Sequence, residues 1–370
     1  MKKLADLQLL NSEIKMKRNL ICGEAMHKHY LAMVLLITVS VMIFNSNIYS
    51  QNVSKSGTTS ANFLEIGVGA SAIGVGGAFV SIADDASSLY WNAGGIANLT
   101  NYEAIIVHTN WIAETNFDFA GIVLPLGDFG ALGFNLTSLS MNDMKVRTIE
   151  LPEGTGEFFS ASDISIGVTY ARQLTERFSI GITAKYIEQN IWHMKATAFA
   201  IDAGTIFKTD LFGGMTIGAA ISNFGTSMQL DGRDSRYFIR VDENKLGSNE
   251  RIPTNIELDE WDLPLIFQIG VSTKLVNKDN YILKVAADAV VPNNDYQSMN
   301  MGAELSVFDY IRIRGGYNSV FLTEAEGGLS LGVGLNSKML LSVASVMFDY
   351  AYRDFGRLNN IHTFSLGIRF

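Results

Sequence analysis

Thr363-Phe364-Ser365-Leu366-Gly367-Ile368-Arg369-Phe370 alternates strictly in character along its length. Every second residue, Phe364, Leu366, Ile368 and Phe370, is large and apolar, and the residues between them are small or polar. Alternation with period two marks a β-strand with two unlike faces. Soluble sandwiches alternate as well, but they bury the apolar face and leave charge on the other. Here the second face is Thr, Ser and Gly with a single Arg, which suits the crowded interior of a barrel. The same pattern recurs upstream. Leu329, Leu331, Val333 and Leu335 oppose Gly328, Ser330, Gly332 and Gly334, and Ile164, Ile166, Val168 and Tyr170 oppose Ser165, Gly167, Thr169 and Ala171.

The periodicity predicts strands near 102–112, 116–126, 129–140, 162–173, 177–190, 196–208, 214–226, 263–275, 280–291, 297–307, 310–322, 327–336, 338–350 and 361–370. An even number of strands suits a bacterial outer-membrane barrel. The expected fold is therefore all-β, a 14-stranded antiparallel transmembrane barrel over 101–370. Links after even strands are short (Gly127-Asp128, Leu174–Glu176, Phe308-Asp309, Ser337), and 141–161, 227–262 and 351–360 follow odd strands. Such barrels put short turns in the periplasm and long loops outside, so both termini are expected in the periplasm of an outer-membrane protein. Trp111, Trp192 and Trp261 fall on the long-loop side, and Phe129, Phe178, Tyr281 and Tyr310 on the short-turn side. Two aromatic belts are what two membrane interfaces favour. Outer-membrane lipid is thus the expected partner of the apolar faces.

Residues 1–50 read as a secretory signal, with the uncharged run Leu31–Phe44 behind Lys15, Lys17, Arg18 and Lys28. That run is short for a spanning helix. Six of the 28 basic and three of the 37 acidic residues lie in this leader, so the remainder carries 22 against 34, a net of −12. This balance excludes nucleic acid as a partner, because phosphate binding needs a basic surface. The only cysteine, Cys22, lies before the apolar run and builds no disulfide.

Following the alternation inward places Lys185, Asp202, Lys284, Asp288, Glu304, Arg312, Arg314 and Arg369 in the lumen. Both signs are present, so pairing across the interior is expected; a filter built on Arg312 and Arg314 is the alternative. His108 and His362 fall on first and last strands, neighbours in a closed barrel, yet nothing selects a serine and an orienting acid beside them. No enzyme is expected.

Residues 51–100 break the strand pattern. They hold Gly67-Val68-Gly69-Ala70-Ser71-Ala72-Ile73-Gly74-Val75-Gly76-Gly77-Ala78-Phe79, then Ala83-Asp84-Asp85 and Leu89-Tyr90-Trp91-Asn92-Ala93-Gly94-Gly95. The segment resembles the N-terminal signature of the PorV/PorQ family, part of the wider FadL-like group of outer-membrane barrels. In that family a glycine-rich stretch leads into A-D-D-x-x-x-x-Y-W-N-P-A-G, and here Ala93 replaces the proline. The resemblance implies a plug folded inside the barrel, with Gly69, Gly74, Gly76, Gly77, Asp84, Asp85, Tyr90, Trp91, Asn92 and Gly94 as its motif.

From the residues alone, Asp84 or Asp85 is expected to cap a short helix over 86–91, and Gly94 or Gly95 to end it in a left-handed conformation. A calcium site of Asp84, Asp85 and Asn92 is the weaker alternative. No Walker lysine follows the glycines, so no nucleotide or other cofactor is expected.

The resemblance also implies a role in type IX secretion, where PorV-like barrels bind secreted cargo and hand it on. The competing reading is a FadL-like channel for hydrophobic small molecules. The charged 227–262 link, with Asp231, Arg233, Asp234 and Arg236, favours a protein partner over a greasy entrance. The final strand, through Phe364, Leu366, Ile368 and Phe370, is further expected to serve as the signal read by the barrel-assembly machinery.

Overall fold

The computed structural model describes residues 55–370 except 56, 243, 245–250, 279, 323–325, 342 and 343. The expected leader, 1–50, lies outside the described residues, as do 51–54.

Fourteen strands form one closed antiparallel ring among the described residues. They are β1 Glu103–Asn110, β2 Asn116–Pro125, β3 Ala131–Ser140, β4 Ala161–Thr175, β5 Phe178–Ile191, β6 Met194–Thr209 and β7 Met215–Gly225. The second half comprises β8 Ile266–Lys278, β9 Tyr281–Pro292, β10 Ser298–Val307, β11 Ile311–Val320, β12 Leu329–Leu341, β13 Ala344–Asp354 and β14 Asn360–Arg369. Each pairs with its successor, and β14 returns to β1 from Glu103↔Arg369 to Asn110↔His362. Beyond these strands, Tyr102 and Phe370 exchange both backbone hydrogen bonds at 3.0 Å, and their rings stack at 5.7 Å. Closure matters because a sheet edge in hydrocarbon would leave N–H and C=O groups without partners.

The distribution of side chains is inverted relative to a soluble protein. Ile166, Val168 and Tyr170 point outward with 50%, 46% and 47% exposure, while Thr169 and Thr363 on the inner face are wholly buried. Phe364, Leu366, Ile368 and Phe370 lie on the same outer surface. Inside, hydroxyls pair across strands, as Thr169 with Thr183 at 2.8 Å and Thr109 with Thr363 at 2.9 Å. This is an outer-membrane β-barrel.

Three strands depart most from their expected bounds: β8, expected near 263–275, spans Ile266–Lys278, and β12 and β13 are displaced at their shared turn. β12 runs past Ser337 to Leu341, and β13 starts at Ala344 and reaches Asp354. The ladder slips between Ser337 and Leu341, so the strand continues where Ser337 reads as a turn. The link expected at 351–360 shrinks accordingly to 355–359. On the same end, β5 and β6 are joined by Trp192-His193 alone, so not every link there is long. The two longest, 141–160 and 226–265, carry small ribbons of their own: Met144–Lys145 with Phe158–Phe159, and Arg236–Ile239 with Ile252–Asn255.

The apolar core lies within the ring. Phe63, Leu64, Val68, Leu89 and Ile96 pack against inward Ile105, Val107, Phe117, Phe119 and Val123 of β1 and β2. The inner faces of these two strands are thus apolar toward the interior segment, while their outer faces carry Ile106 and Ile122 and, nearer the long-loop end, His108 and Asp118. That segment carries two short helices, α1 Ala70–Gly74 and α2 Ser88–Trp91, flanked by 3₁₀ turns at Asn62–Glu65 and Ala93–Asn98.

Candidate functional site

The inner wall is glycine-rich where the backbone of the interior segment crosses it. A Cβ on Gly302 would sit 2.1 Å from Val75 O, on Gly316 2.2 Å from Val75 C, on Gly218 2.3 Å from Val80 O, and on Gly181 2.4 Å from Ala93. The small residues on the polar face therefore serve close backbone contact. From the segment's side, Gly76 has φ +70°, and a Cβ there would meet Tyr317 N at 2.6 Å. Gly77 (φ +79°) and Gly69 (φ +88°) turn the chain in the same way, whereas Gly74 lies flat against Gly332 and Arg314.

Asn92 pins the second half of the segment. Its Nδ2 donates to Val80 O at 2.8 Å and Thr205 O at 3.0 Å, and its Oδ1 accepts from Gly94 N at 3.0 Å. That last bond closes the turn at Ala93, where the resembled family has proline. Trp91 Nε1 donates to Val68 O at 2.8 Å, and Tyr90 Oη donates to Leu64 O at 3.0 Å, tying the two halves together. Replacing Asn92 by Ala strands buried carbonyl and amide groups at about 1–3 kcal/mol each. We expect a loss of at least about 2 kcal/mol, read as an earlier unfolding midpoint in detergent; an unchanged midpoint would refute this role.

The helix over 86–91 begins later than expected. α2 starts at Ser88, and its N-cap Ser87 makes no side-chain capping bond. Instead Asp85 accepts from Ser87 N at 2.8 Å, Ser87 Oγ at 2.5 Å and Ser71 Oγ at 2.9 Å. Burial pushes the Asp85 carboxyl up, and neighbouring Asp84 adds to the effect. Neither Gly94 nor Gly95 is left-handed. Both lie in the 3₁₀ turn, and they are small because a Cβ on Gly95 would strike Ala83 O at 2.6 Å and one on Gly94 would meet Gly204 O at 2.9 Å.

Asp84 turns away from Asp85 to meet Lys284 of β9 at 2.7 Å. Burial alone would raise its carboxyl, but Lys284, Arg312 and Arg314 outweigh it and hold Asp84 below the usual range. Asp84 also opens onto a cavity of about 250 Å³ that it shares with Asn98, Lys208 and Arg369. With Asp84, Asp85 and Asn92 each committed to separate partners, the calcium arrangement does not form. Among the described residues no group of three or more His, Cys, Asp or Glu is arranged to hold a metal ion.

The remaining inward charges form three sets. Lys284 also approaches Glu304 at 3.5 Å, and Arg314 bridges Glu304 at 2.8 Å and Asp349 at 2.5 Å. Arg312 makes no direct pair among the described residues but lies in the field of Asp84 and Glu304. In the second set Lys185 meets Asp202 at 2.5 Å and Asn223 at 3.0 Å. In the third, Arg369 donates from Nε and Nη2 to Glu103, whose other oxygen accepts from Ala86 N at 2.9 Å. Asp288, fully buried, accepts from Val80 N at 2.9 Å. Charges from β9 (Lys284 and Asp288) and β1 (Glu103) thus grip the interior segment at Asp84, Val80 and Ala86. Arg314 is locked by two acids rather than lining an open filter.

Glu103, Asn223 and Asp349 belong to these sets but do not stand out in the sequence. Glu103 shares its register with apolar Ile105 and Val107, and Asp349 falls in the strand whose bounds the alternation misplaces. His108 meets Asp118 at 2.7 Å, whereas His362 lies opposite Asn110 and bonds Tyr350 Oη at 2.8 Å. Asn110 lies between the two histidines, bonding His108 Nε2 at 3.2 Å, but they share no hydrogen-bond partner among the described residues.

Residues 49–268 match the family model described as Type IX secretion system protein PorV. The fold is similar to that of the CymD monoaromatic hydrocarbon channel, at 12% identity and a TM-score of 0.50, covering 82% of this chain and 97% of that one. It is also similar to a Pseudomonas aeruginosa FadL homologue (12% identity, TM-score 0.48, 82% and 98% covered) and to the Pseudomonas putida toluene transporter TodX (10%, 0.49, 82% and 97%). At such identities the likeness concerns the fold. No curated protein sequence matches the chain.

Proposed function

Because the chain belongs to the PorV family, we propose that it is a non-enzymatic outer-membrane component of protein secretion that binds secreted cargo or secretion-system proteins. The observation that carries this reading is the family match, which spans both the interior segment and the first seven strands. The interior segment acts as a plug in this proposal, held by Asp84–Lys284, Glu103–Ala86 and Asp288–Val80, and leaves little room for a polypeptide to thread the lumen. Cargo is met instead on the long-loop face, outside the cell, with both termini in the periplasm. The 226–265 link supplies exposed charges there, among them Arg233, Arg236 and Asp231.

Affinity capture from detergent-solubilised outer membranes, followed by mass spectrometry, tests the proposal. Secretion machinery or secreted cargo is the expected catch. Recovery of an apolar small molecule with no protein partner would overturn it in favour of a channel for hydrophobic ligands.

Removal of Phe370 is expected to lower the amount of assembled barrel in the membrane. It deletes the ring stacked on Tyr102 and two closing hydrogen bonds, as well as the terminal aromatic proposed as the assembly signal. Wild-type membrane levels of the truncated chain would count against that role.

A further inference from the structure

We propose that Arg353 and Ser330 form a binding site for an oxyanion, best matched by an aryl carboxylate, inside the barrel toward its long-loop end. Arg353 continues the inward register of Asp349 and Ala351 on β13, with Ser330 of β12 and Ile361 of β14 directly opposite. The buried inward cations, Lys185 and Arg314, each hold at least two oxygen partners within 3.0 Å. Arg353 differs in having no ion pair among the described residues, and its buried Nε finds no acceptor among them. Among the described residues the titratable group that acts on it is the Tyr90 phenol and not a carboxylate, and that phenol already donates to Leu64 O.

Ser330 makes the second half of the site. It is fully buried, and its Oγ also lacks a partner among the described residues. Two neighbouring buried donors without acceptors are costly, and one carboxylate oxygen pair satisfies both while neutralising the guanidinium. The surroundings select what carries the charge. Phe355 lies 5.5 Å from the guanidinium carbon, its ring meets Trp111 edge-on at 5.4 Å, and Ile361 is buried beside them. An aromatic or aliphatic frame around one cation favours a carboxylate on an apolar body over a fully hydrated anion. This site shares no residue with the Asp84–Lys284–Arg314 set, and it stands independently of the secretion reading.

The purified full-length chain in detergent is titrated calorimetrically with benzoate, with inorganic phosphate, and with benzyl alcohol as the uncharged control. Benzoate is expected to bind and benzyl alcohol not to bind. Arg353→Gln should weaken benzoate by about tenfold or more, the value of a charge-assisted bond; Ser330→Ala should weaken it less, and Arg353→Lys should retain part of it. Phosphate binding with the same dependence on Arg353 would support the site, with a free inorganic anion as its occupant. If Arg353→Gln fails to give a heat-modifiable, folded barrel, Arg353→Lys and Ser330→Ala carry the comparison. Binding unaltered in folded variants, or no binding of either anion to the wild type, overturns the proposal.

Discussion

Replacing Arg314 with Met is expected to destabilise the folded barrel by about 3–5 kcal/mol, the range for removing one partner of a buried ion pair. The Arg314 side chain is 1% exposed and lies between Glu304 on β10 and Asp349 on β13. It is also a packing element: its Cβ and Cδ lie 3.2 and 3.3 Å from where a side chain on Gly74 would begin. Methionine keeps much of that volume but leaves two carboxylates facing each other without their cation. Lys284 can compensate only Glu304, at 3.5 Å, and is already engaged by Asp84 at 2.7 Å.

The measurement is the unfolding midpoint in urea with the barrel in detergent. Combining Arg314→Met with Glu304→Gln and Asp349→Asn should recover most of the loss, because the uncompensated charge then disappears. A single variant with the wild-type midpoint would show that water in the lumen already screens these acids.

The second large effect is expected at Gly302. Valine there places its Cβ where Val75 O now lies, 2.1 Å away, and the obstacle is backbone rather than a side chain that can rotate. Overpacking of a core costs about 1–3 kcal/mol when side chains can adjust; here the contact is relieved only by moving α1 and Gly76 off the wall. The β10 ladder is unaffected, since its hydrogen bonds to β9 and β11 do not involve the new side chain. Gly302→Val is therefore expected to leave a closed barrel with a displaced interior segment. Protease should cut within 70–95, and conductance across a planar bilayer should rise. A variant as resistant and as closed as the wild type would argue that the segment does not seal the lumen.

Much of this molecule was readable from residue order. Each strand's outward face follows from alternation, as in Phe364, Leu366 and Ile368, because the side-chain period of an extended chain is a local property. The inward charges Lys185, Asp202, Lys284 and Glu304 follow from the same count. The misreadings share one cause. Ser337 resembles a turn residue, but the β12–β13 ladder continues past it, and the displaced boundary hides Arg353 in the link expected at 351–360. Likewise Gly94 and Gly95 fit a helix stop, although their smallness answers the approach of Ala83 and Gly204 from elsewhere in the fold.

Sequence by itself determined that the chain crosses a membrane as strands, how many there are, and which face of each meets lipid. It also marked the segment before them as something other than a strand. Tertiary structure alone decided that Asp84 reaches Lys284, 200 positions along the chain, that Glu103 joins Arg369 to Ala86, and that Arg353 meets no acid among the described residues. The physical reason is distance in sequence. Alternation needs only neighbouring residues, whereas ion pairs and glycine contacts in the lumen exist only after β14 has closed on β1 and brought remote strands around one segment.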